Sequence, residues 1–428
     1  MKVLLVATNQ AERYMARMVV RPLPIGLAYL AASIDAEKHQ LQVLDLMFSD
    51  DALTDVDAVV KNFQPDVIGL SIRNLDNQSY LNTIWHLPAI RDMVRRIRSV
   101  SKATIVCGGP AFSILPSECF EFLEADIGLA GDAVKSFADL IDRLGSGTSC
   151  EDIPGLVYRE NGRVLARDRG APADFSISPK LDLLDISRYD KAGFGIGVVT
   201  KLAPYYYPTT DREGQSGIDD WRIRPVDEVI EEIRVLRGDF GIRKVFFIDS
   251  GFNIPLDYGK ALCKELIASD LGIRWNSYLR TGECDGEMIG LMKSSGCSLV
   301  LMAGRGGRIH ANELEGHLAE TRRLVSLCRD SDLPFMLSFD FGEPGETESS
   351  VNEKLAFLEE VNPPFATLRV GTRILPGTTI ASAALEERLI ASEAELIRPI
   401  FYITGAVKDW IVERLRDEAN RHPRWNLI

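Results

Sequence analysis

Cysteine is scarce in this chain, and its cysteines are not paired. The 428 residues include seven cysteines, and no two of them stand in a C-x-x-C pair. An odd number of scattered cysteines argues against a disulfide framework, and the absence of metal-ligand spacing argues against a zinc site. We therefore predict no bound metal and expect most of these thiols to be buried.

Positive charge and long apolar runs are also lacking. Acidic residues outnumber Lys and Arg by 62 to 49, so the net charge is -13, which repels phosphate backbones and anionic lipids alike. We therefore expect neither nucleic acid nor a membrane as a partner. No run reaches the roughly 18 apolar residues of a membrane span. The apolar run in the opening MKVLLVATNQ is too short for the hydrophobic part of a signal peptide. A cytoplasmic location is expected.

The first part of the chain alternates short apolar runs with helical periodicity. The runs KVLLVAT, QLQVLDL, DVIGLSI, ATIVCGG and ADIGLAG are typical of buried parallel strands, and amphipathic segments separate them. This alternation predicts an α/β fold that begins with a doubly wound, Rossmann-like domain over residues 1–145.

The alternation stops and then resumes. Residues 146–192 are rich in turn residues, apart from a hairpin signal in LVYRENGRVLA, and we predict a linker there. Six strand–helix units follow, and they predict a partial (β/α)6 barrel over residues 193–398. Their strands are GIGVVT, KVFFID, IRWNSYL, SLVLMAG, PFMLSFDFG and FATLRVG. A charged amphipathic segment over residues 399–428 is predicted to form a C-terminal cap.

An ordered series of motifs carries a resemblance. The first domain has RPLPIGLAYLAA, SIRNLDNQ and CGGPAFSILPSE, and the second has GIRKVFFIDSGFN, LMKSSGC, FGEPGETESS and RVGTRILPGT. This series resembles the cobalamin-binding radical SAM enzymes over nearly the whole chain. The resemblance implies a cobalamin-binding domain followed by a radical-SAM-like barrel.

The chain departs from this family at the loop after the first barrel strand. In the family that loop has a C-x-x-x-C-x-x-C motif, whose thiolates hold an iron–sulfur cluster. Here the loop reads TKLAPYYYPTTD, and the three cysteine positions of the motif correspond to Ala203, Tyr207 and Thr210. Such clusters need cysteine sulfur at nearly every protein position, so we predict that no iron–sulfur cluster forms. A Gly-x-Glu-Ser-like turn of the family is likewise replaced by AGRGGR, whose Arg305 and Arg308 could bind a carboxylate.

The resemblance places cofactor residues at strand ends. Cobalamin would be bound by Asn9, Ser71, Arg73, Asn74, Asp76, Gly108, Gly109, Pro110 and Gly131, and S-adenosylmethionine by Gly342, Glu343 and Arg373. The alternative for the first set is that the glycines are ordinary strand-to-helix turns and the polar run is a solvated loop. His39 and His86 are isolated, and we interpret them as surface or packing residues rather than cobalt ligands.

Four residues at the predicted barrel mouth are catalytic candidates: Tyr205, Tyr207, Asp249 and Glu283. The tyrosines, with Tyr206 and Trp221, could stack on a substrate ring, or they could simply fill the volume that a cluster would occupy. The carboxylates could position a substrate or move a proton, although each alone is as well explained as a solvated charge.

These observations favour a cobalamin-dependent enzyme of small-molecule biosynthesis that works without a cluster. The preferred reaction is polar methyl transfer from S-adenosylmethionine via methylcobalamin to a small-molecule substrate, with a flavodoxin-type partner as reductant. One alternative is a cobalamin-dependent cyclisation or rearrangement. Another, from a different class, is a non-catalytic cobalamin-binding regulatory subunit.

Overall fold

The computed structural model describes residues 1–10, 12–15, 18–170, 177–191, 193, 195–202, 222–249, 251–303 and 313–428. Two seven-stranded sheets carry most of this part of the chain, one in each half. No helix within these ranges is both long and apolar enough to cross a membrane.

The first sheet has the strand order β4-β1-β5-β6-β7-β8-β9. Its parallel part grows in both directions from β1, and buried residues of β1 alternate between two cores, Leu4 and Val6 on one face and Val3 and Leu5 on the other. The sheet is therefore covered on both faces, which confirms the doubly wound prediction. The strands in this half are β1 (Lys2–Ala7), β2 (Glu12–Met15), β3 (Met18–Val20), β4 (Gln40–Asp45), β5 (Val67–Ser71), β6 (Thr104–Gly108), β7 (Ile127–Leu129), β8 (Leu156–Glu160) and β9 (Arg163–Ala166).

Five helices cross between these strands: α1 (Ile25–Ser33), α2 (Ala52–Phe63), α3 (Leu87–Val100), α4 (Pro116–Leu123) and α5 (Val134–Ser146). The hairpin of β8 and β9 lies within the segment that the sequence predicts as a linker. In the structure this hairpin belongs to the first sheet, because β8 pairs antiparallel with β7 and β9 pairs with β8. Apolar residues such as Leu156 and Val157 are buried by that pairing, which explains why the hairpin does not lie free.

The second sheet has the order β10-β13-β14-β15-β16-β17-β20, and all its pairs are parallel. Strands that follow one another in sequence lie side by side, so the sheet winds in one direction, as in a barrel. The strands here are β10 (Ile196–Val198), β11 (Lys201–Leu202), β12 (Arg222–Ile223), β13 (Lys244–Phe247), β14 (Arg274–Leu279), β15 (Cys297–Ala303), β16 (Phe335–Phe341), β17 (Phe365–Val370), β18 (Thr372–Arg373), β19 (Phe401–Tyr402) and β20 (Trp425–Leu427).

Among the described residues, eight helices belong to this half, and all of them except α12 contribute buried residues to the core on the outer face of the second sheet. They are α6 (Ile186–Lys191), α7 (Val226–Gly238), α8 (Leu256–Ser269), α9 (Gly286–Ser294), α10 (Leu314–Asp330), α11 (Glu348–Val361), α12 (Thr379–Glu386) and α13 (Ile411–Arg421). Their starts follow from local capping: Asp285 caps α9, and Thr347 forms a capping box with Ser350 at the start of α11.

The end of the chain does more than cap the barrel. The six predicted strands are all present, and the segment predicted as a cap adds a seventh, because Trp425 of β20 pairs with Ala366 of β17. Several residues between β17 and α13 pack in the other half: Ile374, Ile380 and Leu396 belong to the core of the first domain. The two halves therefore share a hydrophobic core, which the predicted division at residues 146–192 does not anticipate.

Candidate active site between two sheet edges

The carboxyl ends of four parallel strands form a level edge on the first sheet. Ala7 lies opposite Ser71, Ser71 opposite Gly108, and Gly108 opposite Leu129. Thr8 tightens this edge, since its Oγ1 donates to the Ser71 carbonyl at 2.9 Å. Serine and glycine at two of these strand ends have small side chains, so the flat ring of a corrin can lie close to the backbone there.

Polar side chains stand along this edge at the predicted cofactor positions. Asn9, Asn74 and Pro110 are half-buried and Arg73 is exposed, so the amides and the guanidinium can reach solvent or a ligand. Amide and guanidinium groups are suitable donors and acceptors for the amide arms and tail phosphate of cobalamin. The donor set at the edge therefore fits the predicted cofactor.

Two of the glycines that were predicted to contact cobalamin are required by the packing of the protein itself. Gly109 has φ +99°, and a Cβ there would lie 2.7 Å from the Ile72 carbonyl oxygen. Gly131 has φ +89°, and its Cβ would lie 3.2 Å from the side chain of Arg169. Both positions need glycine because loops of this chain pack against them, whereas the sequence suggested close approach by a cofactor.

The inner face of the second sheet is partly exposed among the described residues. Trp275, Leu337 and Phe339 point outward into the helical core, so their neighbours along each strand point inward. Of the inward side chains, Tyr278 of β14 is 38% exposed and Ile248, which directly follows β13, is 42% exposed, whereas Phe246 and Asn276 are buried. A completely filled barrel would bury Tyr278 and Ile248, so side-chain area is available to a ligand at these two positions.

An ion pair that sequence analysis missed lies on this inner face. Asp340 of β16 is directly opposite Arg369 of β17, and Arg369 Nε lies 3.6 Å from Asp340 Oδ1. Both side chains remain partly exposed. The signal was present in the sequence, because Ser338, Asp340 and Arg369 are polar at alternate positions of otherwise apolar strands.

The predicted catalytic residue Asp249 is enclosed. Its carboxylate accepts from the Thr200 backbone N–H at 3.2 Å and from the Thr200 hydroxyl, and Lys201 Nζ lies 3.5 Å away. The Asp249 side chain is fully buried. Burial also lowers the pKa of Lys201, and the nearby carboxylate opposes this effect. Asp249 therefore fastens the ends of β10 and β13 together, and its oxygens do not face the barrel interior.

The second predicted catalytic carboxylate, Glu283, is exposed on the loop between β14 and α9. Its backbone carbonyl accepts from Asn253 Nδ2 at 2.7 Å, and the same amide group donates to the Arg280 carbonyl at 3.0 Å. Asn253 is fully buried. The loop that carries Glu283 is thus held at the carboxyl end of the barrel, with the Glu283 side chain accessible.

At the end of β16, Glu343 faces a helix and not the interior. Lys354 of α11 lies 3.4 Å from Glu343, donates to the Asp340 carbonyl at 2.8 Å, and donates to Glu346 at 2.5 Å. Glu346 also accepts from the Gly342 backbone N–H. Burial raises the pKa of Glu343 to about 8, and Lys354 opposes this effect. Of Gly342 and Glu343, which were both predicted to bind S-adenosylmethionine, only the Gly342 backbone lies at the barrel mouth.

Two predicted cofactor residues bind each other. Arg373 Nε donates to Asp76 Oδ2 at 2.7 Å, and Arg373 Nη2 donates to the Leu396 carbonyl at 2.7 Å. The two side chains are 6% and 2% exposed. This pair joins the loop after β5 to the residues after β17, so it brings the carboxyl edges of the two sheets together. It has no free hydrogen-bonding edge in the described fold for a cofactor.

Several sequence predictions fall outside the described residues: Tyr205, Tyr206, Tyr207, Trp221, Arg305 and Arg308. The isolated histidines are described. His39 is buried, with Nε2 2.8 Å from Asp142 Oδ1, which fits the packing role. His86 is the residue before α3.

All seven cysteines lie in described segments, and six of them are buried. Burial raises the pKa of the thiols of Cys107, Cys263, Cys284 and Cys328 to about 12, and it also raises the pKa of the other three. The thiolate is the metal-binding form. Within the described ranges no three cysteines lie close enough to share a metal ion.

The sequence is similar to known methyltransferases. Residues 14–141 match the family model of the B12 binding domain. An uncharacterized methyltransferase of Pyrococcus horikoshii is 25% identical over 376 residues, which are 86% of this chain and 79% of the relative. The tryptophan 2-C-methyltransferase of Streptomyces laurentii is 25% identical over 434 residues, covering 85% of this chain and 72% of the relative. These names bear out the prediction of an enzyme.

Solved structures show the same architecture. TsrM from Kitasatospora setae, a radical S-adenosylmethionine methyltransferase, superimposes with a TM-score of 0.82 at 22% identity, over 99% of this chain and 90% of TsrM. TsrM has been solved with tryptophan and an S-adenosylmethionine analogue, and with cobalamin and a 4Fe–4S cluster. The cobalamin-dependent enzyme OxsB has a TM-score of 0.65 at 16% identity, over 98% of this chain and 61% of OxsB. The chain therefore has the fold of the cobalamin-binding radical SAM enzymes, the family that its ordered motifs resemble.

Proposed function

We propose that this chain is a cobalamin-dependent enzyme of small-molecule biosynthesis that transfers a methyl group from S-adenosylmethionine by a polar route, without an iron–sulfur cluster. The observation that carries the proposal is the opposition of two strand-end edges. The strand-end edge of the first sheet suits a corrin, and the exposed part of the inner face of the second sheet suits a small molecule. The Asp76–Arg373 pair joins the two.

The cysteines support the part of the proposal that concerns the cluster. None of them lies in residues 203–221, which hold the loop where the family has its cluster motif. The six buried thiols belong to the hydrophobic cores, and their raised pKa disfavours thiolate. A polar route needs no electron from a cluster, and a flavodoxin-type partner would restore the reduced state when cobalt is oxidised.

Residues of this chain would have distinct roles. Asn9, Ser71, Arg73 and Asn74 would hold cobalamin at the first edge, and bound cobalamin would supply a nucleophilic cobalt that accepts and passes on the methyl group. The backbone around Gly342 would border the S-adenosylmethionine pocket.

The Asp340–Arg369 pair would orient a small substrate that carries a charged or polar group. Its position on the inner face lets the carboxylate accept from a substrate donor while the guanidinium binds a substrate anion. Tyr278 and Ile248 would contact the apolar part of the substrate, and their exposure leaves the area for it.

The experiment supplies anaerobic protein with cobalamin, a chemical reductant and S-adenosylmethionine labelled in its methyl group. We expect label on the corrin, together with iron and inorganic sulfide well below one equivalent. Label on the corrin without iron supports methyl transfer. Stoichiometric iron and sulfide would disprove the route without a cluster. Cobalamin binding without label would leave cyclisation, rearrangement or a regulatory role.

A variant tests the role of the inner face. Arg369→Gln should leave the labelling of the corrin within about twofold, because Arg369 is on the substrate side, and it should lower methylation of any identified substrate by about tenfold or more. Arg322→Gln is the matched control, because Arg322 pairs with Glu360 on the protein surface. Equal substrate turnover in the two variants would remove Arg369 from the proposal.

A further inference from the structure

Three ligand-type side chains meet where α11 and α13 pack together. Glu359 belongs to α11, Glu418 belongs to α13, and His422 directly follows α13. One ligand atom from each residue lies within 4.8 Å of the other two. His422 also stacks on Trp425, with ring centroids 3.9 Å apart and an interplanar angle of 17°, so the imidazole is held in place.

The separations suit a shared ion better than direct hydrogen bonds. His422 Nε2 lies 3.7 Å from Glu359 Oε1 and 4.0 Å from Glu418 Oε2. Hydrogen bonds between such atoms are about 2.7–3.2 Å long. Zinc ligands of this type bind at about 2.0–2.2 Å in a tetrahedral arrangement, so two of them lie about 3.4 Å apart. His422 is a few tenths of an ångström farther than that from each carboxylate, a gap that small side-chain rotations would close on binding.

A buried oxygen without a partner supplies independent evidence. The Glu418 side chain is 2% exposed, its Oε1 accepts from Arg421 Nη1 at 3.1 Å, and Arg414 Nη2 lies 3.1 Å from the same oxygen as an ion pair. Its Oε2 is buried and has no hydrogen-bond partner. Buried polar atoms nearly always have a partner. Oε2 is directed to the gap between His422 and Glu359, where a cation would satisfy it.

We propose that Glu359, Glu418 and His422 bind a divalent metal ion of the Zn²⁺ type, with solvent completing the coordination. Imidazole nitrogen and carboxylate oxygen are established zinc ligands. The two arginines would fix the Glu418 carboxylate from behind, as outer groups do in metal sites. Their positive charge weakens the attraction for a cation, so micromolar affinity is expected.

The position of the site indicates a stabilising role. Trp425, three residues after His422, pairs with Ala366 near the start of β17. The site is therefore at the amino ends of the barrel strands, opposite the mouth, where function in barrels is mostly structural. A bound ion would fasten α13, and with it β20, to α11.

The test titrates Zn²⁺ into the full-length, chelator-treated protein and follows heat of binding and thermal unfolding. We expect one site of micromolar affinity and a rise in Tm of about 2 °C or more at saturation. Glu359→Gln and His422→Gln should each weaken Zn²⁺ binding by about tenfold or more and abolish the Tm rise. Glu359 is largely exposed, so its variant should fold.

Glu413→Gln is the matched control, because Glu413 is exposed on α13, the helix that carries Glu418, and is not one of the three proposed ligands. It should bind Zn²⁺ as the unaltered chain does. Binding that survives both Glu359→Gln and His422→Gln would place the ion at cysteines or elsewhere and overturn the proposal. Failure of the unaltered chain to bind Zn²⁺ at millimolar concentration would overturn it as well.

Discussion

At the residue scale, Glu343 has a carboxyl group whose pKa is changed strongly by its surroundings. Its carboxyl group is buried against Lys354, and its Oε1 has no hydrogen-bond partner. Burial raises the pKa of Glu343 to about 8, and the nearby carboxylates of Asp340 and Glu346 add to the effect. The folded chain therefore favours the protonated carboxyl near neutral pH, which the unfolded chain does not.

This shift has a predictable effect on stability. An unfolded glutamate titrates near 4.5, so the folded state of the unaltered chain loses stability as pH rises from there to about 8 and levels off above that value. Glu343→Gln mimics the protonated form and removes this loss. Between about pH 5.5 and 8, the free energy of unfolding of the variant should rise by on the order of 2 kcal/mol relative to the unaltered chain.

Urea denaturation at the two pH values measures the difference. The matched control is Glu348→Gln, because Glu348 is exposed at the start of α11, the helix that carries Lys354, and the stability of this variant relative to the unaltered chain should not depend on pH in this way. If Glu343→Gln and Glu348→Gln behave alike, the carboxyl of Glu343 is ionised in the folded chain and the inferred pKa shift is wrong.

At the element scale, apolar runs predicted the strands well because both sheets are buried on their outer faces by helices. PFMLSFDFG and FATLRVG predicted β16 and β17, since buried parallel strands have nearly continuous apolar sequences. The seventh barrel strand was missed. WNL is three residues long and has no run of its own, so its pairing with β17 is decided by tertiary contacts alone.

The candidate site was predictable only in part. Strand ends locate the edges, and so Ser71 and Gly108 were placed correctly at one of them. The sequence did not reveal that Asp76 would form an ion pair with Arg373, because these residues are 297 positions apart and no local pattern links them. The surroundings of Asp249 were also not predictable, since Thr200 and Lys201 enclose its carboxylate from another strand end.

The short strand β20 allows a direct test of its contribution. Trp425 is 5% exposed and packs in the barrel core, so Trp425→Ala should lower the free energy of unfolding by about 3–5 kcal/mol. Phe365→Ala is the control, because Phe365 in the paired strand is 51% exposed and should lose less than about 1 kcal/mol. Urea denaturation compares the two; equal losses would show that β20 does not complete the barrel core.

At the scale of the whole molecule, the two halves form one structure around the proposed site. Ile374, Ile380 and Leu396 of the second half are part of the first domain's core, while Leu23 and Met47 of the first half are part of the barrel's core. This exchange fixes the distance between the two strand-end edges. Transfer of a group between two bound molecules requires such a fixed distance, so stability and function depend on the same contacts.

The Asp76–Arg373 pair is the most specific of these contacts, and its removal tests the coupling of the halves. Arg373→Gln leaves the Asp76 carboxylate buried without its charged partner and should cost about 3–5 kcal/mol of unfolding free energy in urea. The double variant Asp76→Asn with Arg373→Gln should recover part of that loss, because no buried charge remains. Arg322→Gln, which breaks a surface pair, should cost less than about 1 kcal/mol. If Arg373→Gln costs no more than Arg322→Gln, the two sheet edges are held together by apolar packing alone.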